Sequence, residues 1–200
     1  MILFSKRFLV FSIWLSQFVD CSPLSYHMSR DLKIHKSIKR SIVRRLEYEE
    51  FQISDGLSGN CSKKAERIFL TPYNVTQVTL LNTGTPNPIG RVNGVSIDKS
   101  DLDVCKKMTR AAVDAEDSFN TEITKSGGPK TILGREFQNG KICNKVLKLT
   151  GSVLCLQMEV QLGVATTARR KKIAEQITNL QENILIDKAA SGQKQRSVQV

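Results

Sequence analysis

Residues 141–163, KICNKVLKLTGSVLCLQMEVQLG, carry two apolar stripes instead of one, and a segment built this way has few places to go in a fold. At about 100° per residue, Ile142, Val146, Leu149, Val153, Leu156 and Val160 fall on one side of a helix, in 4-3-4-3-4 spacing. Leu147, Leu154, Met158 and Leu162 form a second stripe opposite, flanked by Cys143 and Cys155. Lys141, Lys145, Lys148, Ser152 and Glu159 fill the narrow strip that remains. A helix that is apolar on two sides is buried on two sides, so the stretch predicts the central helix of a small antiparallel bundle. Gly151 lies within the second stripe, where glycine costs about 1 kcal/mol against alanine. It reads either as a tolerated kink or as a close helix crossing.

The flanking segments fit an all-α fold with an irregular N-terminal insertion. In 98–119, Asp98 and Ser100 offer N-caps, and Asp101 and Asp103 suit the first turn. Cys105, Met108, Ala112, Ala115 and Phe119 then share one face. SGGP at 126–129 breaks the chain before the central helix. GVATT at 163–167 is a short connection to a last helix with the single stripe Ile173, Ile177, Leu180 and Ile184. Such short loops imply antiparallel neighbours. Residues 56–70 predict a short helix with Ala65, Ile68 and Phe69 buried. The stretch 71–97, rich in Thr, Asn, Pro and Gly, reads as irregular, with VTQVTLL a candidate short strand. Residues 187–200 are polar, and 194–200 read as a disordered tail. Arg169-Arg170-Lys171-Lys172 opens the last helix where its dipole disfavours positive charge. The run reads as a solvated face or as a contact for an anionic surface.

The N-terminal segment has the pattern of a signal peptide over 1–21. Lys6 and Arg7 precede a short apolar run, Phe8 to Val19, and cleavage after Cys21 leaves small residues at the cut. The run is too short to cross a membrane, which takes about 18 or more apolar residues, and no later segment qualifies, so no membrane span is expected. Residues 22–45 read as a basic pro-peptide, with the dibasic sites Lys39-Arg40 and Arg44-Arg45 as processing points after Arg40 and Arg45. A basic amphipathic helix is the competing reading. The helical domain then spans 46–193. The full chain carries +11, from 30 basic and 19 acidic residues. Residues 1–45 hold 9 basic and 2 acidic residues; the remainder holds 21 and 17, a net of +4. The high charge belongs largely to the leader, and nucleic-acid binding by the domain loses its main support.

Losing the leader also removes Cys21 and leaves Cys61, Cys105, Cys143 and Cys155. An even count in an oxidising compartment favours disulfides. Cys143 and Cys155 are about 18 Å apart along one helix, too far to bridge. Two pairings stay open: Cys61–Cys143 with Cys105–Cys155, or Cys61–Cys155 with Cys105–Cys143. Free buried thiols are the alternative to both. Asn60-Cys61-Ser62 and Asn74-Val75-Thr76 are N-glycosylation sequons. Asn74 is the better acceptor, because a bridge at Cys61 competes with a glycan at Asn60.

Chemistry is narrowed just as strongly. The histidines, His27 and His35, and the tryptophan, Trp14, all precede residue 46. From Leu46 onward there is no histidine for a Ser-His-Asp triad, a Cys-His pair or an HExxH zinc site. There is also no phosphate-binding loop, dinucleotide fingerprint or CxxC. Asp98, Asp101 and Asp103 lack the glycine and distal glutamate of a calcium loop. No cofactor, metal or catalytic residue is assigned. A two-carboxylate hydrolase stays formally open, although only six aromatics follow residue 45 to stack against sugars.

The segments EFQISDGLSGN (50–60), AAVDAEDSFNTEI (111–123), GKICNKVLKLTGSVLCLQMEVQLG (140–163) and NILIDKAASGQ (183–193) resemble a family of fungal small secreted proteins of unknown function. The NKVLKLTG and DKAASGQ runs carry the resemblance, which covers roughly 50–193. The chain departs from the family's pattern at Cys143 and Cys155 and in a longer 71–97 segment. The resemblance implies an extracellular, mostly α-helical protein without known enzymatic activity, and it brings no catalytic residues. The expected function is that of a secreted non-enzymatic protein, a candidate effector or a cell-surface interaction protein with an unidentified protein or surface partner. A carboxylate-only hydrolase is one alternative. A structural cell-wall protein is another, disfavoured by the lack of a Ser/Thr-rich tract and of a lipid-anchor signal.

Overall fold

The computed structural model describes residues 44–82 and 96–200, which lie in one unit of the chain. The signal-peptide reading, the first dibasic site at Arg40 and residues 83–95 of the irregular stretch fall outside them. Three long helices dominate: α4 (Lys99–Lys125), α5 (Ile132–Gln161) and α6 (Thr167–Ala189). Each starts on a side-chain cap. The Asp98 carboxylate accepts from the amides of Ser100 and Asp101, Thr131 Oγ1 from that of Gly134 and Thr166 Oγ1 from that of Arg169. Three short helices precede them: α1 (Tyr48–Phe51), α2 (Cys61–Ala65) and α3 (Gln77–Leu81). A π-helical turn, Glu66–Leu70, and a 3-10 turn, Thr71–Tyr73, follow α2. The described residues form an all-α bundle with an irregular N-terminal region, and none of their helices is long and apolar enough to cross a membrane.

Helix α5 is central. It packs along both α4 and α6, while α2, the π-helical turn and the C-terminal segment also pack against it. Both stripes are buried along most of the helix: Val146 and Val153 on the first and Leu147, Leu154 and Met158 on the second are fully shielded, while Leu156, Val160 and Leu162 toward its C-terminal end are half-buried. Gly151 is a close crossing: a Cβ there would strike Thr109 Oγ1 on α4 and come within 2.8 Å of the Phe69 ring. The strip between the stripes is less polar in its surroundings than its composition suggests. Lys148 is only 20% exposed and pairs with Glu116 at 2.7 Å, and Glu159 is buried.

Two segments depart from expectation. Residues 77–81 of the VTQVTLL run form helix α3. Thr76 caps it by accepting from the Thr79 amide, Leu80 is fully buried and Val78 lies exposed. A lone alternating run has no strand to pair with, and the cap decides the outcome. Residues 194–200 are ordered. Strand β2 (Lys194–Gln195) pairs antiparallel with β1 (Gly56–Leu57), and Gln195 and Val198 are buried. The Gln195 amide donates to the carbonyls of Ile53 and Asp55, each at 3.0 Å. The carbonyl of Arg196 sits where a Cβ on Gly140 of α5 would be, so a substitution at Gly140 would lift this segment off α5. The polar composition that suggested disorder is consumed in these hydrogen bonds.

Candidate functional sites at the two disulfides

Cysteines 61 and 143 are bridged, with Cα atoms 5.3 Å apart, and so are Cys105 and Cys155, at 5.9 Å. Of the two pairings left open by the sequence, the structure holds the first. Cys143 and Cys155 stand on one helix and are joined to different partners, as the helix spacing requires. One bridge ties α2 to α5, the other α4 to α5, and all four cysteines are buried.

Around Cys61 lies a polar junction. Asp187, on the last turn of α6, is 2% exposed. Its carboxylate accepts from the backbone amides of Gly59, at 2.7 Å, and Cys61, at 2.9 Å. One of its oxygens also lies 3.0 Å from the Cys61 sulfur. A buried carboxylate needs such partners, because an unpaired one is costly to desolvate. Lys64 donates to the carbonyls of Ile53, at 3.2 Å, and Asp55, at 2.9 Å. Burial lowers its pKa, and the carboxylates of Asp187 and Asp55 pull the other way. Burial pushes the Tyr48 phenol well above its ordinary value, and its hydroxyl donates to Asn144 at 2.9 Å. The arrangement holds the 55–60 loop to the end of α6.

Asp55 links this junction to the C-terminal segment. It accepts from the Ser197 amide at 3.0 Å and from Gln52 at 2.6 Å. Burial alone would raise its pKa; the Ser197 and Gln52 hydrogen bonds, with Lys64 nearby, outweigh this and hold it below the ordinary carboxylate range. A carboxylate with a depressed folded-state pKa stabilises above its unfolded value, about 3.9, and loses that contribution as pH falls through the lower folded value. The Ser197 amide resonance should therefore shift on acidification below about pH 4, before the helices melt. Asp55→Asn should abolish that step; an unmoved Ser197 signal would remove Asp55 as the anchor.

The second junction is built on Glu159 of α5. It is only 7% exposed and is gripped by Lys106 of α4 at 2.6 Å and Arg169 of α6 at 2.8 Å. The Arg169 contact is an ion pair without aligned hydrogen-bond geometry, since that oxygen has no hydrogen-bond partner. This carboxylate ties together two helices that barely meet otherwise. Sequence reasoning missed both Asp187 and Glu159, because their partners come from remote segments. Arg169 carried a faint signal, as the first cation of an otherwise unexplained basic run.

The remaining sequence-assigned residues sit on the surface. Asn60 and Asn74 are exposed, and Asn74 takes a left-handed conformation, with φ 55°. Within the first sequon Cys61 is buried and bridged, while Thr76 of the second is exposed. Arg45 is exposed and pairs loosely with Glu47 at 3.4 Å. Among the described residues no group of three or more His, Cys, Asp or Glu side chains could hold a metal ion.

No curated protein and no solved structure matches the chain. One family model does, a domain of unknown function, DUF8454, over residues 43–199. On that match, which takes in the whole of the helical unit from α1 to β2, the chain belongs to the DUF8454 family.

Proposed function

We propose that this is an exported, non-enzymatic interaction protein of fungal origin, a candidate effector or cell-surface protein braced for an oxidising environment. The observation that carries the reading is the pair of buried bridges, Cys61–Cys143 and Cys105–Cys155, which use every cysteine left after the leader. Buried structural disulfides belong to oxidising compartments. The buried carboxylates Asp187 and Glu159 are occupied by backbone amides and cations, which supports a structural role for them. The resemblance to fungal small secreted proteins supports the origin, and the exposed Asn74 sequon supports a glycan there.

Processing after Arg45 fits the same reading. Arg44 and Arg45 have side chains 77% and 55% exposed, outside any helix or strand and just before the buried Tyr48. Their pairs with Glu50 and Glu47 are surface ion pairs, worth about 0–1 kcal/mol, so removing them leaves the fold intact. Mass spectrometry of the protein from culture medium should find an N-terminus at Ser41 or Leu46, a glycan on Asn74 and both bridges. Ser22 as the sole N-terminus in a processing-competent host would defeat the pro-peptide. Retention inside the cell with reduced cysteines would defeat export.

A second reading, a carboxylate-only hydrolase, has one observation in its favour. A cavity of about 580 Å³ lies between α4 and the C-terminal segment and is lined by Asp117 and Glu122. Glu122 is paired with Lys125 at 2.9 Å. Turnover of any glycan substrate that Asp117→Asn abolishes would establish this reading in place of the first.

A further inference from the structure

Beside the Cys105–Cys155 bridge the three long helices leave a groove of about 360 Å³. It opens where α4 and α6 diverge on either side of α5. Helical spacing explains its lining: Lys106, Thr109, Arg110 and Val113 stand at i, i+3, i+4 and i+7 on α4, one face of that helix. Ser152, Cys155, Leu156 and Glu159 repeat the same spacing on α5. The floor is apolar, made by Val113, Leu156 and the Cys155 half of the disulfide. The rim is cationic, with Lys106 and Arg110 on one side and Arg169 and Lys172 on the other.

The charge is not balanced from within. Glu159 is the one carboxylate of the lining, and two of the four cations share it. Arg110 and Lys172 have exposed partners on their own helices, Asp114 and Glu175; such solvent-screened pairs give way easily. Arg170 and Lys171, next to the rim, are exposed and have no ion-pair partner among the described residues. The volume falls in the range of roughly 300–1,000 Å³ usual for small-molecule sites. An apolar trough edged by cations is complementary to an alkyl chain ending in an anion.

We propose that this groove binds a free long-chain carboxylate. Its chain lies along Val113, Leu156 and Cys155, and its carboxylate lies between Arg110 and the α6 cations. This goes beyond the export reading and does not depend on it. The basic run that opens α6 then has a function that a solvated face does not give it.

The test uses the full chain with both bridges formed, titrated with a fluorescent polyene fatty acid below its micelle concentration. Saturable binding is expected, displaced by hexadecanoate and only weakly by hexadecanol. Arg110→Gln/Lys172→Gln should weaken binding roughly tenfold or more, the scale of losing charge-assisted hydrogen bonds, with unchanged circular dichroism. Ser152→Trp should block the groove; if it disturbs folding, the charge variant alone decides. Three results overturn the proposal: no saturable binding, equal displacement by acid and alcohol, or full affinity in the charge variant. Retention on phosphatidylserine vesicles that free hexadecanoate does not compete would also overturn it, pointing to the basic run as a membrane contact.

Discussion

Replacing both Cys61 and Cys143 with alanine should cost the oxidised protein on the order of 4 kcal/mol of unfolding free energy, and Cys105→Ala/Cys155→Ala about the same. The bridges span 82 and 50 residues, and closing loops of that size removes this much freedom from the unfolded chain in the entropy model. A domain of this size has about 5–15 kcal/mol in total, so losing both bridges should leave little or no folded population at physiological temperature. The first pair should do further damage, because Asp187 lies against the Cys61 sulfur and against the amides that the bridge holds in place. Urea unfolding followed by circular dichroism, with and without reductant, gives the measurement. If wild type and the first double variant unfold at the same urea concentration, residues 61 and 143 are not bridged in solution.

The second large effect concerns α5. Leu154→Asp on the second stripe and Leu149→Asp on the first should each cost several kcal/mol, since each puts a carboxylate without a partner into an apolar site. Leu154 is fully buried and Leu149 is 6% exposed. Lys148 makes a poor control despite its place in the polar strip, because Lys148→Asp would set a carboxylate against Glu116. Lys171→Asp is the sounder one: residue 171 is exposed on α6, and the change should stay within about 0.5 kcal/mol. Thermal melts of the three variants decide the matter. A Leu154→Asp protein as stable as Lys171→Asp would mean that the second stripe is not packed.

What the sequence disclosed follows from the range over which each signal acts. The two stripes of α5, the Asp98 cap, the SGGP break and the single stripe of α6 are written within a few turns of chain. Each is a local pattern with a period or a start signal. Asp187, Glu159 and Gln195 are different. Their burial depends on amides, carbonyls and cations from remote segments, such as Gly59 and Cys61 for Asp187, and nothing near them in sequence marks the encounter. For the same reason the disulfide pairing stayed open between two choices, and polar residues 194–200 passed for a tail. The VTQVTLL run read as irregular, for want of a second strand to receive it, and its helix was missed because the Thr76 cap stands before only five helical residues, too few to show a helical period.

The two bridges interleave. In chain order the first cysteine is joined to the third and the second to the fourth. As a consequence, no single cut of the backbone between residues 61 and 155 yields two molecules. A nick between 61 and 105 leaves the halves held through Cys61–Cys143, one between 143 and 155 through Cys105–Cys155, and one in the glycine turn at 127–128 through both. Helix α6 and strand β2 lie outside this covalent cage and stay attached, after a cut at 163–166, only through non-covalent contacts: packing at residues such as Ile177, Leu180 and Ile184, the Asp187 and Arg169 contacts, and the pairing of β2 with β1. A protease therefore meets two materials in one chain: a clasped portion that survives clipping as one piece, and a C-terminal segment that can be shed.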